Sequence, residues 1–414
     1  MVRDMDSVSI HLPDYDSLHL ALRRYIVQQG MYQDPQSYAR FARQHVLFNG
    51  LDDSDSLHRT FRDASGIGIP DYIRLSTALL WAFAERRRTS ISTEWFSLLP
   101  PPLSGLVDPF LSDLAMTADE AQAWLRAVEA DPSVHHEYYG DSPLKHHPLL
   151  NDAQSYLPYS VRLLEEALAN RVYDVVRQAD PPLFMHRFGP LFERYVERGL
   201  AYAGLNYACE REMPARHGDK TVDFIAVSGD CNLFIDAKGV ELPMAALLSH
   251  RADIVRGRMK ASAIKAVRQG LDTASRLLDA GRLGGLQLGT GQSFLLVVTF
   301  RDFCMSSGRD LLRSIGQAQV DRLMAEAGTP PPIPLGNMYF VPIDDFDSLM
   351  SMTKDGHDLA RTMARIAEHD SQPDTRKMLF RMHLGPQPAP AFLVDAFESL
   401  GLDLETKLIQ AEAA

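Results

Sequence analysis

The sequence predicts an α/β protein whose small mixed core lies between two mostly helical regions. Apolar residues recur at helical spacing through the first part of the chain. After Pro181 the pattern changes to short β-type runs separated by glycine and aspartate turns. A long amphipathic helix and a strongly apolar strand complete this part of the sequence. The predicted order of the core elements is therefore α-β-β-β-α-β, and we place the core at residues 181–305.

Residues 1–180 are expected to form an all-helical N-terminal region. Helical spacing of apolar residues is clearest over residues 18–29, 72–88, 119–130 and 159–178. The prolines at 100–102 mark a break, because proline lacks the backbone N–H that a helix interior needs.

The core is expected to begin with a helix over residues 190–203. Three β-type runs follow at 205–213, 221–227 and 233–237, with turns at Gly218-Asp219 and Gly229-Asp230 between them. An amphipathic helix is predicted over residues 252–280. A glycine-rich loop then leads to an apolar strand over residues 293–300.

Residues 306–414 are expected to form a mostly helical C-terminal extension. A helix is predicted over residues 308–327, followed by a stiff proline-rich connector at 329–334. A short strand at 338–341 would end at Pro342, and the tail from residue 345 has a helical pattern.

The balance of charges limits the classes of function. The chain has 42 Lys and Arg against 54 Asp and Glu, a net charge of −12 with histidine neutral. An acidic protein of this kind does not coat a polyanion with its whole surface. Contact with nucleic acid would need a local basic patch or a bound metal.

The cysteines and the N-terminus indicate the compartment. Cys209, Cys231 and Cys304 are odd in number and form no CxxC pair, which excludes a disulfide framework and a cysteine-rich zinc site. The acidic N-terminus lacks the apolar segment of a secretory signal, and the apolar runs are too short to span a bilayer. We expect a cytoplasmic protein that is not attached to a membrane.

Acidic residues and one lysine are predicted to meet at one corner of the core. Asp223 lies in the second β-type run, and Asp236 and Lys238 lie at the end of the third. Residues i and i+2 of a strand point to the same face, and a hairpin would bring Asp223 to the same corner. The preceding helix carries Glu193 and Glu197, one turn apart on one face.

Carboxylates that converge in this way repel each other and resist ionisation. A divalent cation would remove that penalty, and hard oxygen ligands suit Mg²⁺, with Mn²⁺ as the alternative. Such a cation binds phosphodiester oxygens, helps to form a hydroxide nucleophile and stabilises a leaving group. A neighbouring lysine can orient or deprotonate the water, or neutralise developing negative charge.

Asp223, followed after a gap by Asp236-Ala237-Lys238, resembles the signature of the PD-(D/E)xK nuclease superfamily, also called restriction-endonuclease-like. The predicted order of elements over residues 190–300 is similar to that family's core. The resemblance implies that Asp223 and Asp236 bind the metal, that Lys238 serves the attacking water and that Glu193 supports the metal site. The residue before Asp223 is Val222, where the name-giving motif has proline.

The resemblance also implies partners and a setting. It favours a Mg²⁺-dependent endonuclease that cuts DNA rather than RNA, in a prokaryotic defence or restriction role and in a form compatible with a homodimer. The regions at 1–180 and 306–414 would recognise substrate, a protein partner or a regulator. One alternative is a catalytically inactive relative that binds DNA or assembles a complex. Another is a sensor or scaffold in the helical region, with nuclease activity as its output.

The helix after the motif carries a concentrated run of positive charge. Six Lys and Arg residues and one aspartate lie between residues 251 and 268. At about 100° per residue, Arg258, Lys265 and Arg268 project opposite an apolar stripe. This face could bind phosphates, and a simple solvated helix surface is the alternative interpretation.

Overall fold

A computed structural model of the chain describes residues 23, 26, 38–99, 101–129, 143–153, 155–213, 221–239, 242, 247, 252–259 and 262–400. A five-stranded sheet lies at its centre, and helices cover both faces of that sheet. The predicted mixed α/β class and the helical character of the N-terminal region are confirmed. Among the described residues, no helix is both long and apolar enough to cross a lipid bilayer.

The N-terminal region contains six described α-helices: α1 (Tyr38–Phe48), α2 (Ser56–Ser65), α3 (Ile69–Leu80), α4 (Val107–Leu114), α5 (Ala118–Glu129) and α6 (Val161–Ala179). The helix predicted over 72–88 corresponds to α3, whose regular α-helical part ends at Leu80. A π-helical turn, Trp81–Glu85, follows directly. Three 3₁₀ turns also occur here, at Thr93–Leu98, Leu103–Leu106 and Pro143–Lys145. The helix predicted over 18–29 lies outside the described residues, apart from helical residues 23 and 26.

The prediction of an all-helical N-terminal region was wrong, because the region includes a three-stranded sheet. Its strands are β1 (Ala115–Thr117), β2 (Leu149–Asn151) and β3 (Tyr156–Pro158). β1 pairs in parallel with β2, and β2 pairs antiparallel with β3. Strands of three residues are too short to show a two-residue alternation. In addition, β1 pairs with β2, which lies far away in the sequence.

The central sheet contains β4 (Asn206–Cys209), β5 (Phe224–Ser228), β6 (Cys231–Lys238), β9 (Ser293–Thr299) and β10 (Met338–Pro342). Its spatial order is β10-β9-β6-β5-β4. The pairs β4–β5 and β5–β6 are antiparallel, whereas β6–β9 and β9–β10 are parallel. The short strand predicted at 338–341 is therefore an edge strand of this sheet, and the first β-type run stops earlier than predicted, at Cys209.

Helix α7 (Pro181–Tyr202) precedes the sheet and begins earlier than predicted. Asp180 caps it, because its side chain accepts a hydrogen bond from the backbone N–H of Leu183. Pro181 occupies the first turn, where the missing N–H of proline costs no helical hydrogen bond. The chain therefore enters α7 directly from α6.

The long helix predicted over 252–280 is two helices, α8 (Ala252–Met259) and α9 (Ala263–Leu277). They pack on different elements: α9 lies on β6 and β9, whereas α8 contacts α10 (Gly308–Ile315). The glycine-rich loop that follows α9 contains a short hairpin, β7 (Arg282–Leu283) and β8 (Leu286–Gln287). The helix predicted over 308–327 is also divided, because Gly316 has a φ of +86° between α10 and α11 (Gln317–Glu326).

Two apolar layers hold the sheet. Alternating residues of β6 point to opposite faces, so Leu233 and Ile235 join one layer and Phe234 joins the other. The first layer runs from Phe41 in α1 to Phe392 and includes α7, so the N-terminal region, the sheet and the C-terminal extension share one core. The extension contributes α12 (Ile343–Lys354), α13 (Leu359–Ser371), α14 (Arg381–Leu384) and helical residues 391–400.

Candidate active site

The start of β5 and the end of β6 place two aspartates at the same end of two neighbouring strands in the sheet. Phe224 pairs with Ile235 in the antiparallel register. Continuing that register by one residue puts Asp223 opposite Asp236. Asp223 therefore immediately precedes β5 rather than lying within the strand, while Asp236 and Lys238 belong to the last three residues of β6.

The Asp223 carboxylate is anchored to the neighbouring strand. Its Oδ2 atom accepts a hydrogen bond of 2.6 Å from the backbone N–H of Ala237. Burial and the nearby charges of Asp236 and Glu193 together raise the pKa of Asp223 to about 8. The Ala237 hydrogen bond and the Lys238 ammonium oppose these effects. Without a counter-charge, this carboxyl resists ionisation at neutral pH.

Asp236 is fully buried and lies against the lysine of the motif. The Nζ atom of Lys238 lies 2.6 Å from Oδ2 of Asp236. Within the part of the chain that the structure describes, neither Asp236 oxygen accepts a well-aligned hydrogen bond. Burial raises the pKa of Asp236, and the Lys238 ammonium and the Asp223 side chain lower it. The carboxylate therefore has a charge partner but retains unused lone pairs.

Gln269 of α9 is a site residue that the sequence prediction missed. Its Oε1 atom lies 3.3 Å from the Nζ atom of Lys238, and its Nε2 atom donates a hydrogen bond of 3.1 Å to the carbonyl oxygen of Thr221. The next residue, Gly270, allows this close approach, because a Cβ atom there would lie 2.6 Å from a methyl group of Leu295. A glutamine on a helix has no spacing signature, so only the packing of α9 identifies it.

The two glutamates predicted on the first core helix have different surroundings. Glu193 is half-buried on α7, and its charge contributes to the raised pKa of Asp223. Glu197 is turned toward β4, where its Oε1 atom lies 3.4 Å from both the thiol of Cys209 and the hydroxyl of Tyr207. Of these two glutamates, Glu193 is therefore the one whose charge acts on Asp223.

Glu210 is a second site residue that the sequence prediction missed, and it is acidic. Its backbone N–H donates a hydrogen bond of 2.8 Å to the carbonyl oxygen of Asp223. Its charge also raises the pKa of Asp236. The 3₁₀ turn Glu210–Glu212, which follows β4, thus adds negative potential beside the aspartates.

The chemistry of the aspartate pair is compatible with a divalent cation. In the described ranges, no group of three or more His, Cys, Asp and Glu side chains is arranged to hold a metal ion. The pair nevertheless offers hard carboxylate oxygens, and those of Asp236 lack well-aligned donors. Both carboxyls have raised pKa values, which a bound cation would reverse.

The predicted basic face is exposed at the three positions that carry it. Arg258 lies on α8, and Lys265 and Arg268 lie on α9. Lys265 is four residues before Gln269 and therefore lies on the same side of α9 as the site. Arg268 is turned toward α11, where its NH2 atom lies 3.4 Å from Oε2 of Glu326. Residues 251 and 260 of this run lie outside the described residues.

A buried polar network fixes the helix that carries Glu193. Arg43 of α1 contacts Asp347 of α12, with 2.7 Å between NH2 and Oδ2. The Tyr195 hydroxyl of α7 donates a hydrogen bond of 2.8 Å to the same oxygen of Asp347. Burial outweighs the opposing effect of the Arg43 guanidinium and raises the pKa of Asp347 to about 6. Three helices from distant parts of the sequence thus meet two residues from Glu193.

Comparison of the chain with family models, with curated proteins and with solved structures found no match. The structure by itself defines a mixed α/β protein with a helical N-terminal region. A function must therefore be inferred from the residues around Asp223 and Asp236.

Proposed function

We propose that the protein is a metal-dependent nuclease that hydrolyses phosphodiester bonds, with DNA as the favoured substrate. One observation carries this proposal. Asp223 and Asp236 lie opposite each other at the end of the β5–β6 strand pair, and the Lys238 ammonium lies 2.6 Å from the buried Asp236 carboxylate. Two adjacent carboxyls with raised pKa values and a lysine suit a cation-assisted hydrolysis of phosphate esters.

The order of elements gives further support. Helix α7, the antiparallel strands β4, β5 and β6, and the helices α8 and α9 follow one another along the chain, and the short hairpin β7–β8 then precedes the parallel strand β9. With α8 and α9 taken together and the hairpin set aside, this is the α-β-β-β-α-β order, and we propose that it forms a restriction-endonuclease-like core.

The residues would divide the work as follows. Asp223 and Asp236 would hold Mg²⁺ or Mn²⁺, with Glu193 adding negative charge from α7. When bound, the cation stabilises negative charge on phosphate oxygens and lowers the pKa of water. The Ala237 N–H keeps the Asp223 carboxylate oriented toward its partner. The Lys238 ammonium holds the attacking water or neutralises the charge that develops on the phosphate.

The basic face would bind the nucleic-acid backbone. The protein as a whole is acidic, so phosphate contact has to be local. Arg258 and Lys265 offer exposed cations on the two helices that follow the motif, and Arg268 adds a third that is shared with Glu326. We further propose a cytoplasmic defence or restriction role, in which the helical N-terminal region binds a partner or a regulator and the protein acts as a homodimer.

The competing function is a catalytically inactive subunit that binds DNA. The Lys238–Asp236 contact favours it, because a buried ion pair is neutral without any metal. The two functions differ in one experiment. Wild-type and Asp236→Asn proteins are incubated with plasmid, single-stranded DNA and RNA in Mg²⁺, Mn²⁺ or EDTA. We expect metal-dependent cleavage by the wild type alone, and the cleaved substrate identifies the substrate class. Binding without cleavage by the wild type would favour the inactive subunit.

A further inference from the structure

We infer that Lys238, which contacts both Asp236 and Gln269 in this structure, exchanges this shared contact for Gln269 alone when a divalent cation binds Asp236. Gln269 is then a positioning residue that keeps the lysine at the site. The inference rests on the proposed metal site, and it adds a role for a helix residue that the sequence motif does not include.

The first partner is the buried carboxylate. The Nζ atom of Lys238 lies 2.6 Å from Oδ2 of Asp236, whose side chain is 1% exposed. A buried carboxylate needs a counter-charge, and in the metal-free protein the lysine supplies it. A divalent cation that binds the same oxygens brings a second positive charge to the same place. Because like charges so close together repel, the ammonium has to leave Asp236.

The second partner already accepts a hydrogen bond from the Lys238 ammonium. The Oε1 atom of Gln269 lies 3.3 Å from the ammonium nitrogen. Gln269 is itself held, because its Nε2 atom bonds to the carbonyl oxygen of Thr221 and its side chain is almost completely buried. This fixes the orientation of the amide, with its oxygen toward Lys238. A neutral amide accepts the ammonium without competing for the cation, and the flexible stem of lysine allows a short movement.

The exchange predicts opposite effects at two neighbouring positions. The Lys238 ammonium competes with the cation for Asp236, so its removal favours metal binding. The Gln269 amide stabilises the displaced ammonium, so its removal disfavours metal binding. If Lys238 and Gln269 only supported the fold, removing either side chain would weaken metal binding.

The test is calorimetric titration of Mn²⁺ into the full chain without nucleic acid. We expect Lys238→Met to bind Mn²⁺ about tenfold more tightly than the wild type, because a hydrogen bond to a charged group is worth roughly one to two orders of magnitude in affinity. Gln269→Leu should bind it several-fold more weakly. Lys354→Met, which removes an exposed lysine on α12, should leave the affinity unchanged. Asp236→Asn should abolish binding.

Thermal unfolding gives a second readout and shows that each variant folds. In EDTA, Lys238→Met should unfold at a lower temperature than the wild type, because Asp236 has lost its counter-charge. Saturating Mn²⁺ should then raise its unfolding temperature more than it raises that of the wild type. Equal affinities in the wild type and Lys238→Met, with loss in Asp236→Asn, would overturn the exchange but leave the metal site. No binding by the wild type or Lys238→Met would overturn both.

Discussion

The backbone N–H of Ala237 donates a hydrogen bond of 2.6 Å to the carboxylate of Asp223. This bond joins the residue that precedes β5 to Ala237, the next-to-last residue of β6. Both residues lie just beyond the regular pairing of the two strands. The bond holds the Asp223 carboxylate beside Asp236 although the two repel each other when ionised. The chain thus keeps two carboxyls close together, and the nearby charge of Asp236 contributes to the raised pKa of Asp223.

The Asp223 carboxyl should make the stability of the metal-free protein depend on pH. Its pKa is about 8 in the folded protein and about 4 in an unfolded chain. The native state therefore holds a proton that the unfolded state releases, so the free energy of unfolding falls as the pH rises from about 4 to about 8. Denaturant titrations in EDTA across this range measure the effect. Asp223→Asn should flatten the profile and raise the free energy of unfolding at high pH by up to about 5 kcal/mol, because each unit of pKa shift corresponds to about 1.4 kcal/mol.

A matched control for this pH dependence is Asp230→Asn. Asp230 is an exposed aspartate in the turn between β5 and β6, at the opposite end of the hairpin. This variant should keep the wild-type profile. The same pH profile in Asp223→Asn and in the wild type would show that Asp223 does not carry the proton.

The basic face should determine how strongly salt affects nucleic-acid binding. Changing Arg258, Lys265 and Arg268 to glutamate removes phosphate contacts, so affinity should fall and the dependence of log affinity on log salt should become shallower by about one unit for each lost contact. Arg268→Glu should have the smallest effect, because Arg268 is also paired with Glu326. Fluorescence anisotropy at several salt concentrations measures both quantities.

Charge reversal at a distant surface separates this effect from a general change in net charge. Arg361→Glu with Arg365→Glu reverses two exposed charges on α13. This pair of changes should reduce affinity far less than Arg258→Glu with Lys265→Glu. Similar losses in the two double variants would mean that the face on α8 and α9 is ordinary solvated surface.

The Arg43–Asp347 contact should be important for stability rather than for chemistry. Arg43→Met leaves a buried Asp347 without its cation and should lower the free energy of unfolding by about 3–5 kcal/mol, as measured by chemical denaturation. Adding Asp347→Leu removes the orphaned charge and should restore much of the loss. Arg74→Met, which removes a partner from the surface contact with Asp71, serves as the control and should change little. A loss in Arg43→Met no larger than in this control would contradict the role of the buried pair.

The hairpin that carries the aspartates could be predicted from sequence because its signals are local. Gly229-Asp230 marks the turn, and the apolar runs on either side are the strands β5 and β6. The position of Asp223 opposite Asp236 then follows from the antiparallel register. The small N-terminal sheet gave no such signal, since β1 and β2 are only three residues long and lie far apart in sequence.

The remaining part of the site depends on tertiary packing. Gln269 reaches Lys238 only because α9 sits close to β9 at Gly270. The division of the basic segment into α8 and α9 likewise reflects two different packing partners, α10 and the sheet. A helical wheel drawn through both segments places Arg268 beside Lys265, whereas the structure turns it toward Glu326.

The most direct test of the account is a comparison of cleavage by wild type, Asp223→Asn, Asp236→Asn and Asp230→Asn in Mg²⁺, Mn²⁺ and EDTA. Each variant removes one carboxylate from the same hairpin, and circular dichroism confirms that each is folded. We predict cutting by the wild type and Asp230→Asn only, and only with a metal present. Undiminished cutting by folded Asp223→Asn and Asp236→Asn, or equal cutting in EDTA, would contradict it.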